Sequence, residues 1–271
     1  MPKVEKWQKK AAWLVSIALG IAILVTGGVL FFGSAILDEC IVIAIMVMVF
    51  PPTVVNIIDY RWRKSIDEHL PDLFRTIVQA QQTGMTLPQA LEETSKRDYG
   101  PLTKELKKMV SQMSWGLSFE EALEYFSKHV DTMLVERTVP LIIEASRSGG
   151  RVEKVFEPIG KFVQSTLLLE KERKTQTRPY IAIIYVAFFV FLFTIVLLFR
   201  SFFTQITEES LLGNALLTTE AAKRLFFHMT AIQAFFSGLV AGKVSEGTLY
   251  GGLKHSLILL LIGLLALKML L

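Results

Sequence analysis

Two stretches of the chain are nearly continuous in apolar residues, and the segment between them is not. Residues 12–58 and 179–271 carry most of the hydrophobic positions, whereas residues 59–178 have the make-up of an ordinary soluble domain. The run Trp13 to Phe32 is about 20 residues long, enough to span a bilayer as a helix. A cleavable signal would have a shorter apolar core followed by a small-residue cleavage site, so residues 12–32 are read as a retained first span. Asp38 and Glu39 are costly inside hydrocarbon and place the turn 33–39 at a surface. A second span covers about 40–58, with Pro51-Pro52 expected to kink it or end its regular part. Aromatic and cationic residues from Asp59 to Lys64 then mark an interface. The third span is 179–203, opened by Pro179 at a tolerated helix position. A polar stretch at 204–220, a fourth span at 222–242, a Gly-rich loop from Gly242 to Lys254 and a fifth span at 255–271 complete the series.

The middle segment reads as helix throughout, because no stretch alternates apolar and polar positions for long enough to make a strand. Six helices are expected, at about 60–83, 87–97, 101–115, 119–129, 131–148 and 152–178. The breaks fall at Thr83-Gly84, Tyr99-Gly100-Pro101, Gly116, Lys128-His129 and Ser148-Gly149-Gly150. The expected fold is an all-α integral membrane protein: about five transmembrane helices, with a six-helix cytoplasmic bundle between spans two and three. The domains are 1–58 (an N-terminal tail and two spans), 59–178 (the bundle) and 179–271 (three spans).

Basic residues orient this arrangement. With the N-terminus in the cytoplasm, Lys3, Lys6, Lys9 and Lys10, the arginines and lysines at both ends of 59–178, and Lys243 and Lys254 all lie inside. The chain is then a multi-pass protein of the cell membrane with its central domain cytoplasmic. Lys223 and Arg224 fall on the outer side and must snorkel to that interface.

Composition narrows the function. Of 271 residues, 52% are hydrophobic, against about 45–50% in a typical soluble domain. Formal net charge is +4, but residues 59–178 hold 19 Lys+Arg against 18 Asp+Glu, which argues against a nucleic-acid-binding face. The single cysteine, Cys40, makes neither an intrachain disulfide nor a CxxC site and reads as a small buried or lipid-facing residue. No G-x-x-x-x-G-K-[ST] loop, H-E-x-x-H or G-x-S-x-G elbow occurs. The four histidines have no metal spacing, and no cofactor is implied. His228, within a span, is a functional candidate by position, although it sits within two turns of Lys223 and Arg224 at the edge of that span. Acid pairs such as Glu92-Glu93 and Glu120-Glu121 sit in early helical turns, where they complement the helix dipole. The chain is not expected to be an enzyme.

One element recurs. Gly84-Met-Thr-Leu-Pro-Gln-Ala-Leu-Glu92, Gly116-Leu-Ser-Phe-Glu-Glu-Ala-Leu-Glu124 and Gly149-Gly-Arg-Val-Glu-Lys-Val-Phe-Glu157 begin 32 and then 33 residues apart. In each, Gly stops a helix. Thr86 and Ser118 cap the next one, and Gln89 and Glu121 complete capping boxes; the third copy has Arg151 in place of a cap. The repeat serves either to build the bundle or also to dock a partner.

The run Leu70 to Leu91, the segment Gly116–Leu123 and Glu144-Ala-Ser-Arg-Ser-Gly-Gly150 resemble the cytoplasmic domain of the type II secretion system F family. Ser237–Gly247 and Gly252–Ser256 resemble its archaellum and tight-adherence branch. The resemblance implies a platform protein of a type IV pilus, tight-adherence or archaellum-type machine. Its partners would be a hexameric secretion ATPase, pilin-like subunits, the lipid bilayer, and a second copy or a paralogous platform protein; nucleic acid is not among them. Larger relatives carry two cytoplasmic domains, and this chain has one. Candidate docking turns are Gly84, Thr86, Gly116, Ser118, Gly149 and Gly150, and candidate basic contacts are Lys96, Arg97, Lys107 and Lys108, for which solvated helix faces are the simpler reading. A transporter would line its spans with polar groups, yet spans one, three and five have almost no charges. A membrane scaffold without an ATP-driven partner is the other alternative.

Overall fold

The structure is a computed structural model, describing residues 3–31, 36–147, 153–203 and 219–270. Its helices are α1 (Lys6–Leu30), α2 (Ile36–Gln82), α3 (Leu87–Ser95), α4 (Pro101–Ser114), α5 (Phe119–Val130), α6 (Met133–Arg147), α7 (Glu153–Leu198), α8 (Thr219–Glu246) and α9 (Leu249–Leu270). A π-helical turn, Phe199–Phe203, follows α7. No strand occurs among the described residues. Among the described residues, five helices are long and apolar enough to cross a membrane: α1, α2, α7, α8 and α9. The chain is an all-helical, multi-pass membrane protein.

Two compact units make up the chain. The first comprises Met1–Val4 and Ile58–Arg173, and the second Glu5–Ile57 and Lys174–Leu271. The first unit is built around one apolar cluster. Its spine is the α2 face Trp62, Ile66, Leu70, Leu73 and Ile77, spaced so that the helical repeat brings all five to one side. Phe74 meets Phe156 of α7 with ring centroids 5.6 Å apart. Ile66 and Leu70 are fully buried, each contributing roughly 1.5–3 kcal/mol of transfer free energy. Truncating Leu70 to Ala would cost about 2–5 kcal/mol through the cavity left behind.

The first and last expected bundle helices are not separate elements. Residues 60–82 are the end of α2, and residues 153–178 are the start of α7. Pro51-Pro52 does not end its helix, and Pro179 lies inside α7 rather than opening a span. A proline removes one backbone donor, and membrane helices tolerate that loss because surrounding groups re-satisfy the freed carbonyl. Likewise, α5 runs past Lys128-His129 to Val130. Asp131 ends it with φ of +53°, in the left-handed region that Asp visits more readily than most residues.

The second unit packs Val42 of α2, Phe188 and Leu192 of α7, Ala234 of α8, and Leu259 and Leu260 of α9 into one core. Helices α8 and α9 form a tight hairpin. The expected Gly242–Lys254 loop is helical on both sides, and only Gly247-Thr248 connects the two helices. The glycines serve close approach instead. A Cβ on Gly242 would lie 1.9 Å from the Gly252 nitrogen, and one on Gly238 would lie 2.1 Å from the Ser256 nitrogen. The Ser256 hydroxyl donates to the Phe235 carbonyl at 2.7 Å. Small residues spaced by four let membrane helices meet backbone to backbone. Asp38 and Glu39 stand in the first turn of α2 rather than in a loop. Residues 33–35 of that expected turn, and residues 204–218 of the polar stretch, lie outside the described residues.

Candidate functional site

The repeated turns are built as their sequence dictates. Gly84 and Gly116 adopt φ of +89° and +98°, which residues with a Cβ disfavour. Ser118 Oγ accepts the Glu121 N–H at 3.2 Å, while Glu121 Oε2 accepts the Ser118 N–H at 3.1 Å. At the first turn the Thr86 N–H donates to Gln89 Oε1 at 3.0 Å. Gly149 and Gly150 lie outside the described residues.

The flanking contacts put these turns at one end of the first unit. Ser146, in the last turn of α6, donates to the Glu120 carboxylate at the start of α5. That hydrogen bond holds the Glu120 carboxyl below the usual carboxylate range. Gln82, at the end of α2, lines a groove with Phe156 and Glu157 at the start of α7. The opposite end collects the other connections. Arg63 meets Asp131 at 3.1 Å, Thr132 donates to Asp67 at 2.6 Å, and a Cβ on Gly100 would lie 3.6 Å from His69 Cε1. From Asp67 to Gln82 is roughly 22 Å along α2.

The basic candidates therefore do not gather with the turns. Lys96 caps α3 and pairs with Glu93 at 2.8 Å. The pairing raises the Lys96 pKa and lowers that of Glu93, and two exposed partners of this kind contribute little to stability. Arg97 is exposed beside it, in the connection that leads to Gly100. Lys108 has a different role. Its ammonium lies 3.1 Å from both oxygens of Glu105, whose side chain is only 7% exposed. His129 Nε2 lies 3.3 Å from the same carboxylate. Lys3 donates to the His129 carbonyl, and its ammonium stands 5.7 Å from the centroid of the Trp62 ring. A buried carboxylate is costly unless it is paired, so Lys108 satisfies the fold rather than a partner. Lys107 is exposed and makes no ion pair among the described residues.

Two features escaped sequence reasoning. Trp115 is 80% exposed, directly before the Gly116 turn, and shares an α4 groove with Lys104, Lys107 and Ser111. Its spacing of four and eight from Ser111 and Lys107 was the available signal. Asp67 sits mostly inside the unit, and burial pushes its carboxyl up to about 6 despite the hydrogen bond from Thr132. Nothing in the sequence joins those two residues.

Comparison with known proteins places this geometry. Residues 73–199 match the family model described as type II secretion system (T2SS), protein F. The match takes in most of the first unit and the whole of α7 beyond it. An uncharacterized protein of Methanocaldococcus jannaschii is 28% identical over 209 residues, covering 74% of this chain and 33% of that protein. The chain thus spans about a third of the length of the curated relative it matches. No solved structure matches. Over residues 73–199, the chain is similar to proteins of the type II secretion system F family.

Proposed function

We propose that the chain is a membrane platform protein of a type IV filament or type II secretion-like machine. In this reading it couples a hexameric secretion ATPase to the extraction of pilin-like subunits from the bilayer and their addition to a filament. The family match supports this, and one structural observation carries it further. Helix α2 supplies Ile58–Gln82 to the first unit and Ile36–Ile57 to the second without a break. Helix α7 does the same on either side of Arg173. A coupler needs such helices, because a flexible linker would absorb motion that a continuous helix transmits.

The positive-inside pattern puts the first unit in the cytoplasm, as the bundle domain between two membrane parts. Its turn-bearing end, with Gly84, Thr86, Gly116 and Ser118, is the ATPase-facing end, and Gly149 and Gly150 are candidate contacts through the sequence repeat alone. Of the basic candidates, Arg97 and Lys107 are the ones available to a partner. A second copy or a paralogue completes the platform. The chain does no chemistry itself and draws its energy from the ATPase.

Co-purification after crosslinking in the native host tests this. A secretion ATPase should be recovered with the full chain, and recovery should fall when Gly84 and Gly116 are both replaced by Val. Its absence from crosslinked material would favour a membrane scaffold with no ATP-driven partner.

A further inference from the structure

One large apolar side chain of the first unit stands clear of its core. Trp115 caps the C-terminal end of α4 and is 80% exposed, more than any other large apolar side chain described in that unit. The unit's other tryptophan, Trp62, is buried. Trp115 ends a stripe along α4. Lys104, Lys108, Ser111 and Trp115 follow at steps of three or four, with Lys107 beside them, so they share a face. They line a groove of about 690 Å³ that Gly100 and Thr103 close at its far end. No carboxylate among the described residues lines it.

The cations of this groove are unequal. Lys108 is committed to buried Glu105. Lys104 and Lys107 are exposed and make no ion pair among the described residues. Asp98, near the Gly100 end, accepts the Gly100 N–H at 2.9 Å. Lysines alone on a helix face read as solvated. A tryptophan held in water in line with them does not, because an exposed indole adds nothing to the core and tryptophan is a preferred anchor of protein interfaces. From Lys104 to Trp115 is roughly 16 Å along the helix. A matching occupant carries carboxylates at one end and an apolar side chain about three helical turns away. Residues 59–178 are close to neutral overall, so positive potential is local to this face, which suits a short acidic segment better than a whole anionic membrane surface.

We propose that the α4 groove docks an acidic segment of a partner protein, with Lys104 and Lys107 meeting its carboxylates and Trp115 taking an apolar side chain. The contact is small, of the size that serves transient association. The proposal does not rest on the filament reading: it fixes the chemistry of the segment, whichever protein carries it.

Photo-crosslinking of the full chain in native-host membranes, with benzophenone maleimide on S111C in a C40S background, tests it. The crosslinked peptide should carry a run of Asp and Glu together with an apolar residue. A synthetic copy of that peptide should bind the full chain in detergent, more weakly as salt is raised. K104E/K107E and Trp115→Ala should each weaken this binding about tenfold. A peptide with Lys in place of its Asp and Glu should bind K104E/K107E better than it binds the parent. Melting temperatures near the parent value check that the variants are folded. A crosslinked segment with no excess of acid, crosslinks to lipid alone, which mark a membrane-facing surface, or no protein crosslink at all would each overturn the proposal. So would equal binding of the peptide by parent and K104E/K107E.

Discussion

The Thr132 hydroxyl donates a 2.6 Å hydrogen bond to Asp67 Oδ1, joining the residue before α6 to α2 across 65 positions of sequence. Arg63, one turn earlier on α2, meets Asp131 beside it. Together these contacts close the end of the first unit at which α2 enters.

Burial makes that closure pH-dependent. Asp67 ionises near pH 6 in the fold against about 3.8 for the free side chain. Between those values the folded chain holds a proton that the unfolded chain has lost, so this contribution to stability falls as pH rises and is gone above about 6. The ionised group then costs roughly 1–3 kcal/mol. Asp67→Asn keeps an acceptor for Thr132 and removes the charge. Its melting temperature should exceed that of the parent at pH 8, and the gap should narrow at pH 5. A gap that is the same at both values would contradict this account.

The two described repeat turns owe their shape to backbone conformation alone. A Cβ added at Gly84 or Gly116 would meet nothing within 4 Å, yet both positions have positive φ. Each Gly→Ala change should therefore cost about 1–2 kcal/mol, read as a lowered melting temperature, and the two costs should add. Unchanged stability would mean that the turns tolerate ordinary residues.

The α8–α9 hairpin allows a sharper contrast. Gly242→Ala drives a methyl into the Gly252 backbone, which has no flexible side chain to yield. It should separate the helices and abolish recovery of folded protein. Gly28→Ala, in α1, meets nothing within 4 Å; the gain in helix propensity over Gly should stabilise by up to about 1 kcal/mol. Yield and monodispersity in detergent distinguish the two outcomes.

Lys107 and Lys108 are sequence neighbours with different duties. Lys108→Glu places a second carboxylate beside buried Glu105 and should destabilise the chain by about 3 kcal/mol or more. Adding Glu105→Gln should recover part of that loss. Lys107→Glu should leave the melting temperature within experimental error and alter only partner binding. Equal effects at both sites would contradict the assignment.

Much of this was legible from the chain. The five apolar runs, the turn-and-cap repeat and the α3–α6 helices follow from length, periodicity and capping chemistry, all of which act locally. Signals shared by different structures misled. Pro51-Pro52 read as a kink or a helix end, and Pro179 as the opening of a span, because proline ends most water-exposed helices, whereas α2 and α7 pass through them. The glycines between Gly242 and Gly252 read as loop because they are flexible in water. Here they are spacers between packed helices. Lys108 read as a surface charge because nothing local marks its partner Glu105, three residues earlier, as buried, and His129 reaches the same carboxylate from far along the chain. Trp115 stood among polar residues without marking itself as exposed. Long-range pairings such as Thr132 with Asp67 have no local signature at all.

The proposed function is mechanical: α2 and α7, each an unbroken helix shared by the two units, would carry motion from the first unit to the spans. A Gly/Ser segment inserted after Thr177 of α7 breaks one of these helices, while a helical insert of the same length, built on Ala, Glu and Lys, keeps it whole. Counting filaments on cells that express each form, alongside membrane-fraction blots, measures the effect directly. The account predicts normal membrane insertion in both, filaments lost with the Gly/Ser insert, and filaments at least partly retained with the helical one. Normal filament numbers with the Gly/Ser insert would contradict it.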